Sequence, residues 1–479
     1  MEDNKTNISS IMIPICIGVF LANLDGSIVN IALPTLLKYF NVDASEVSIV
    51  VVSYLLAMSC FLLLFGKLSD IKGPKKIFMS GFVIFLFASL LCTFSTGIYM
   101  LSAFRFIQGI ASSILASTFG VLILHYIPPE IRGRVFGVVA VAGGTGYALG
   151  APLGGVIIKY LTWKWIFYIN IPLCLIALIM AYRYLPEKKT VRPDGAGIDI
   201  ISVVLSFIFL CAITTVMNRL NTDGWKSPFI IISFIIFLFT FLLFIHRQTK
   251  ISSPLMDIQI FKNRELSVGF IAAFLSGMIL AGSSFLFPFY FEFVRNFNSA
   301  TTGIYLMIMP LLSTLLGPLA GYLSDRYGPR TVTLYSTFLM AISIIMISMF
   351  GSTISPYYII ISLILYGTAL AFFLTANITL IMGYAPPGKE GITSALTGLN
   401  GALSGSTGIS IFAALFSYYT AAGGKEMNPV YIIKGFQVCF ICFIFLALSI
   451  FITTLLIKEK RRFTTKLLKI APFSVVSEE

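Results

Sequence analysis

The chain has 479 residues, of which 57% are hydrophobic and 11% charged, and its mean hydropathy is +0.94. A soluble globular chain carries about 25% charge, so a water-covered fold is excluded and lipid must be part of the solvent. The net charge of +13 would suit nucleic acid only if it clustered on one face, and its placement excludes that.

Crossing the hydrocarbon core takes about 20 apolar residues in a helix, and such runs follow one another along the chain. The first, 11–33, contains Asn23, Asp25 and Asn30 and has no A-x-A-like site, so it is expected to be a retained span rather than a signal peptide. Next come 47–65, 77–96 and 98–120, the last holding Arg105 and Gln108. The fifth, 135–158, carries glycines 143, 144, 146, 150, 154 and 155 around Pro152, and the sixth covers 165–183. Then follow 198–218, 228–245 and 268–291, with Glu292 just beyond. The last five are 302–323, 331–350, 357–380 with Asn377, 394–418 with Asn400, and 435–457. Fourteen spans predict an all-α polytopic membrane protein. The seven cysteines fall in apolar stretches; Cys439 and Cys442 form a C-x-x-C without a nearby His, which reads as packing rather than as a metal or redox site.

Cytoplasmic loops are enriched in Lys and Arg. With both termini cytoplasmic, 24 of the 33 basic residues fall inside, eight outside, and Arg105 within a span. The basic excess is therefore topogenic and faces anionic lipid, which argues against a nucleic-acid partner. A multi-pass protein of the plasma membrane is expected, its basic, partly amphipathic tail from Lys458 lying on the inner leaflet.

Two cytoplasmic turns are near copies: GKLSDIKGPKK from Gly66 to Lys76 and GYLSDRYGPRT from Gly321 to Thr331, 255 residues apart. Short basic turns are common, but a shared pattern this long marks a duplication, and duplicated halves that rock against each other characterise secondary transporters. The copies follow helices 2 and 10, so two helices are inserted between six-helix halves. The expected organisation is an N-terminal six-helix bundle (1–190), two inserted helices (191–250), a C-terminal six-helix bundle (251–457) and the basic tail (458–479).

The first turn resembles the signature loop of the major facilitator superfamily, G-x-L-x-D-R-x-G-R-K, through Gly66, Leu68, Asp70, Gly73 and Lys75, with Ile71 and Pro74 replacing two arginines. The second copy keeps Arg326. Leu24–Pro34 (LDGSIVNIALP) and Trp163–Pro172 (WKWIFYINIP) are similar to helix 1 and helix 6 segments of that superfamily's fourteen-helix drug:proton antiporters. Leu101–Gly109 (LSAFRFIQG) matches the helix 4 pattern with its buried Arg. Gly146–Gly155 (GYALGAPLGG) resembles the helix 5 antiporter motif, with Pro152 one place later than usual. The resemblance implies the facilitator fold, export of a small amphipathic substrate by alternating access, and proton-gradient drive without a cofactor. A monomer in the lipid bilayer is expected.

A carboxylate in mid-bilayer is costly unless it faces a wet cavity, finds a partner or takes up a proton. Asp25 is thus the leading proton-coupling candidate, its function implied by the resemblance. The alternative is a structural carboxylate bonded to Asn23, Asn30 or the backbone. Arg105 either stabilises a deprotonated Asp25 or snorkels to the interface, and sequence leaves their contact open. Asn30, Gln108, Glu292, Asn377 and Asn400 are candidates for the substrate cavity, with interhelical glue or solvation as the plainer readings. Helices 10 and 13 carry no mid-span acid, which favours neutral or singly charged amphiphiles.

The resemblance makes the turn residues Gly66, Asp70, Gly73, Asp325 and Arg326 a conformational gate. Asp70 would clasp the start of helix 13 near Thr393, and Asp325, by pseudo-symmetry, the start of helix 5 near Arg134; a plain turn-forming role is the alternative. Gly146, Gly150, Pro152, Gly154 and Gly155 either shape the cavity and seal it against proton leak or simply pack. The leading function is proton-coupled export of amphipathic drugs or toxic metabolites. Transport of a single native solute or lipid, with or without antiport, is the alternative. An enzyme is disfavoured because both His residues, His125 and His246, are at loop positions and no nucleophile–base set is visible. A non-transporting sensor would not require Asp25 in its first span.

Overall fold

The computed structural model describes residues 8–128, 131–186, 199–223, 226–251, 258–386, 390–421 and 428–457. Fourteen helical spans emerge, and no strand occurs among the described residues. The first six are α1 (Ile8–Phe40), α2 (Ala44–Lys72), α3 (Pro74–Thr93), α4 (Ile98–Tyr126), α5 (Arg132–Tyr160) and α6 (Trp165–Tyr184, interrupted at Ile169). A hairpin of α7 (Ile200–Asp223) and α8 (Pro228–Lys250) follows. The last six are α9 (Arg264–Phe289, extended by a π-helical turn over Tyr290–Val294), α10 (Ser299–Tyr327), α11 (Pro329–Ser348), α12 (Pro356–Gly383), α13 (Glu390–Ala421) and α14 (Pro429–Leu455). Thirteen are long and apolar enough to cross a membrane; the described apolar stretch of α7, Ile200–Val216, is shorter.

The duplication is visible in the backbone as well as in the letters. Gly73 (φ 97°) and Gly328 (φ 86°) occupy positive φ, which glycine adopts without a Cβ penalty, and each is followed by a proline that opens the next helix. At the other end, Asn41 (φ 53°) and Asn296 (φ 52°) adopt left-handed turns, which Asn tolerates better than most residues. Each stands two residues before an N-cap: Asp43 accepts from the Glu46 N–H at 2.7 Å, and Asn298 from Thr301 at 2.9 Å. Both turn types thus keep the 255-residue spacing.

Helices α1–α6 pack together, as do α9–α14; α7 pairs with α8 and leans on α2 and α13 through Leu56, Cys60 and Leu210. The two six-helix groups touch along α5 against α10 and α2 against α13. Their closest approach lies opposite the Gly-Pro turns: a Cβ on Gly155 would collide with the Ser299 carbonyl, and one on Gly303 with that of Ala151. Lys38 there lies 4.4 Å from the Phe293 ring centroid. The tail from Lys458 lies outside the described residues.

Candidate functional site

Four helices of the first bundle bring a polar cluster into its apolar interior, and a fifth lays an aromatic ring against it. Asp25 on α1 and Arg105 on α4 are both fully buried and form an ion pair, Nη1 to Oδ2, of 2.5 Å. The other carboxylate oxygen accepts from Gln108 Nε2 at 3.1 Å and from Asn170 Nδ2, on α6, at 2.9 Å. Arg105 also donates to Gln108 Oε1 at 2.6 Å and, through Nε, to the Val50 carbonyl at 3.4 Å. Ser89 on α3 accepts from Gln108 at 2.9 Å. Tyr54 on α2 places its ring centroid 4.3 Å from the guanidinium carbon.

Burying two charges costs several kcal/mol each, repaid only when geometry is good and the remaining lone pairs are used. Here the carboxylate receives three donors. Arg105 Nη2 and Asn170 Oδ1 have no hydrogen-bond partner. Removing either charge would leave the other buried without its counter-ion.

Two adjoining cavities of about 300 and 330 Å3 lie between the bundles. Asn30, Tyr147, Leu280, Ser284 and Leu374 line both, and Tyr147 Oη and Ser284 Oγ stand 3.4 Å apart across the bundle interface. Asn23, Ser27, Ser313 and Thr314 add polar groups to one cavity; Tyr54, Ser276, Asn377, Thr397, Asn400 and Ser404 add them to the other. Among the described residues, no charged side chain lines either. Asn377 and Asn400 donate to the Gly269 and Phe270 carbonyls at 3.1 Å each, which fixes their amides. Asn30 Oδ1 is unpartnered, and Pro34, lacking an N–H, leaves the Asn30 main-chain carbonyl without its helical donor.

Asp25 and Arg105, whose contact the sequence left open, are in direct contact, and neither Asn23 nor Asn30 bonds to Asp25. Asn23 instead donates to the Val19 carbonyl at 2.8 Å. Two expected cavity residues lie elsewhere. Gln108 is fully buried in the Asp25 cluster, because it sits one turn after Arg105 on the same inward face of α4. Glu292 lies in the π-helical turn at the end opposite the Gly-Pro turns, where it accepts from Ser299 Oγ at 2.8 Å.

The expected gate is only partly within view. The Asp70 side chain lies outside the described residues, while Thr393, its expected partner, is buried at the start of α13. Asp325 and Arg134 are both exposed, and among the described residues no ion pair joins them. Arg326 is also exposed, 3.3 Å from Tyr322 Oη. Gly66 sits within α2, where an added Cβ would meet Ser117 at 3.8 Å, an ordinary contact. The helix 5 motif has two faces. Gly146, Gly150 and Gly154 bring α5 onto α1, whereas Gly155, beside Pro152, meets α10 of the other bundle.

Sequence reasoning missed Asn170, Ser89, Tyr54 and Tyr147. Asn170 offered a signal, being the polar residue of WKWIFYINIP. The others are common residues whose facing only tertiary packing sets.

The sequence profile of the Major Facilitator Superfamily matches residues 15–409. The chain is 31% identical to the riboflavin transporter RibZ of Clostridioides difficile (strain 630), over 92% of this chain and 96% of that protein. It is 27% identical to the methylenomycin A resistance protein of Bacillus subtilis (strain 168), covering 88% and 91%. Among solved structures, a peptide transporter, POT, superposes with a TM-score of 0.65 at 14% identity, covering 92% of this chain and 93% of that one.

Proposed function

The chain belongs to the Major Facilitator Superfamily, and from that premise we propose that it is a proton-coupled exporter of small, uncharged amphiphiles. It is a multi-pass membrane transporter and not an enzyme. The observation that carries the finer reading is the fully buried Asp25–Arg105 pair, beside an uncharged cavity between two repeated bundles. A buried carboxylate whose counter-ion can be released is the element that antiport requires, since it must gain a proton from one side and lose it to the other. The cavity supports an uncharged cargo: amides and hydroxyls can orient polar groups while Leu, Ile, Met and Phe cover apolar surface. In this reading the transporter works as a monomer in the plasma membrane, both termini cytoplasmic, with protons as co-substrate and no cofactor.

A second reading, transport of one native solute without proton exchange, is favoured by the 31% identity to a riboflavin transporter. Purified protein in liposomes under an imposed pH gradient separates the two. Riboflavin and methylenomycin A are added in turn while luminal pH and solute content are followed. Proton-coupled export predicts lumen pH changes that track solute and disappear in Asp25→Asn. Solute movement with no accompanying proton flux in the wild type would establish the second reading instead.

A further inference from the structure

We propose that Tyr54 is the positioning residue that transmits occupancy of the cavity to the Asp25–Arg105 pair. The inference deepens the proton-coupled reading and rests on it. A cargo in the cavity cannot touch either charge, because both are fully buried and neither lines the cavity wall. Something in the wall must connect them. Tyr54 lines the cavity on one side and lies 4.3 Å from the Arg105 guanidinium on the other. Arg105 Nη2 lacks a hydrogen-bond partner, so the ring face supplies part of the compensation that a buried cation needs.

The ring is also fixed where it can do this. Its hydroxyl lies 2.7 Å from Ser112 Oγ on α4 and 3.5 Å from the Ala22 carbonyl, about one turn from Asp25. Gly109, one turn after Arg105, lets α4 press directly onto the Tyr54 backbone carbonyl. Moving the ring therefore alters the surroundings of Arg105. Among the described residues, the remaining titratable neighbours of Asp25 are Cys92 on α3 and Cys174 on α6. Toward α1, α5 turns Gly146, Gly150 and Gly154, and the cavity walls from α9 and α10 are uncharged.

Infrared titration of the purified full chain tests this without a cargo. The Asp25 carboxyl band is identified by its loss in Asp25→Asn. Tyr54→Leu keeps bulk but removes the ring face, so Arg105 depends more on the carboxylate, and the band's midpoint should fall by about 0.5 pH unit or more. Tyr54→Phe should leave it in place. Gly401→Trp provides a tethered occupant, because a Cβ at Gly401 points into open space within the same cavity. It should shift the midpoint with Tyr at position 54 and not in the Tyr54→Leu background. A midpoint indifferent to Tyr54→Leu, or a Gly401→Trp shift that survives Tyr54→Leu, overturns the inference. Solute movement without proton flux in wild-type liposomes overturns the proton-coupled reading instead.

Discussion

The two six-helix bundles share turns, spacing and topology, yet their interiors hold opposite chemistry. The first buries Asp25 and Arg105 in a ring of amides. The second is filled by aromatic rings: Phe436 lies 4.4 Å from Phe440 and 4.9 Å from Tyr290, centroid to centroid, and Phe412 lies 4.4 Å from Phe443. Among the described residues it buries no charged side chain. Duplication has preserved the shape that rocking requires, while among the described residues only the first half buries an ion pair. The aromatic half is suited to act as a stiff counterpart, since rings pack with few rotamers and need no partner for a charge.

The contrast predicts unequal sensitivity. The largest effect is expected from Arg105→Ala, which strands a buried carboxylate and should destabilise the fold by roughly 3–5 kcal/mol. Adding Asp25→Asn should recover much of that loss but none of the proton coupling. Thermal unfolding in detergent with liposome transport reads both, and an additive double variant would refute the charged-core account. In the other half, Phe436→Leu should cost about 1 kcal/mol, because a hydrophobic swap in an uncharged core loses packing only. The proton-to-solute ratio should be unchanged, and a changed ratio would place coupling in both halves.

The smallest effect sharpens the comparison with the inserted hairpin. Burial raises the carboxyl pKa of Asp199, just before α7, but hydrogen bonds from Arg247 and Ser202 outweigh this and hold it below its usual 3.8. Arg247 is 34% exposed in that pair, so Asp199→Asn should cost less than about 1 kcal/mol. A depressed carboxylate contributes fully above its unfolded pKa and loses that contribution as pH falls through the folded value. The difference between wild type and Asp199→Asn should therefore be present at pH 7 and vanish well below pH 4. Equal unfolding temperatures at both pH values would show that the pair contributes nothing.

Much of the fold was legible because membrane spans declare themselves by length and apolarity, and because Gly73 and Gly328 need a residue without a Cβ. The second repeated turn, Asn41 and Asn296, was missed because a left-handed Asn looks like any other loop Asn in sequence. At the site, Asp25 and Arg105 stood out as the rare charges inside spans. Gln108 and Glu292 were assigned to the cavity because polarity shows that a residue avoids lipid, not which interior surface it faces. The helix 5 glycines divided likewise: residues four apart share a face, but only the neighbours distinguish the α1 face from the α10 face.

By itself, the sequence determined that the chain spans a membrane fourteen times, that it is duplicated, and that one carboxylate and one guanidinium must be accommodated in its first half. Those are consequences of free energies of transfer and of local backbone geometry, which act residue by residue. The tertiary structure decided that the two charges meet, that Asn170 and Ser89 complete their shell, and that Tyr54 stands between them and the cavity. Such contacts join residues up to 145 positions apart, and they arise from how helices are rotated against one another, which no local pattern encodes.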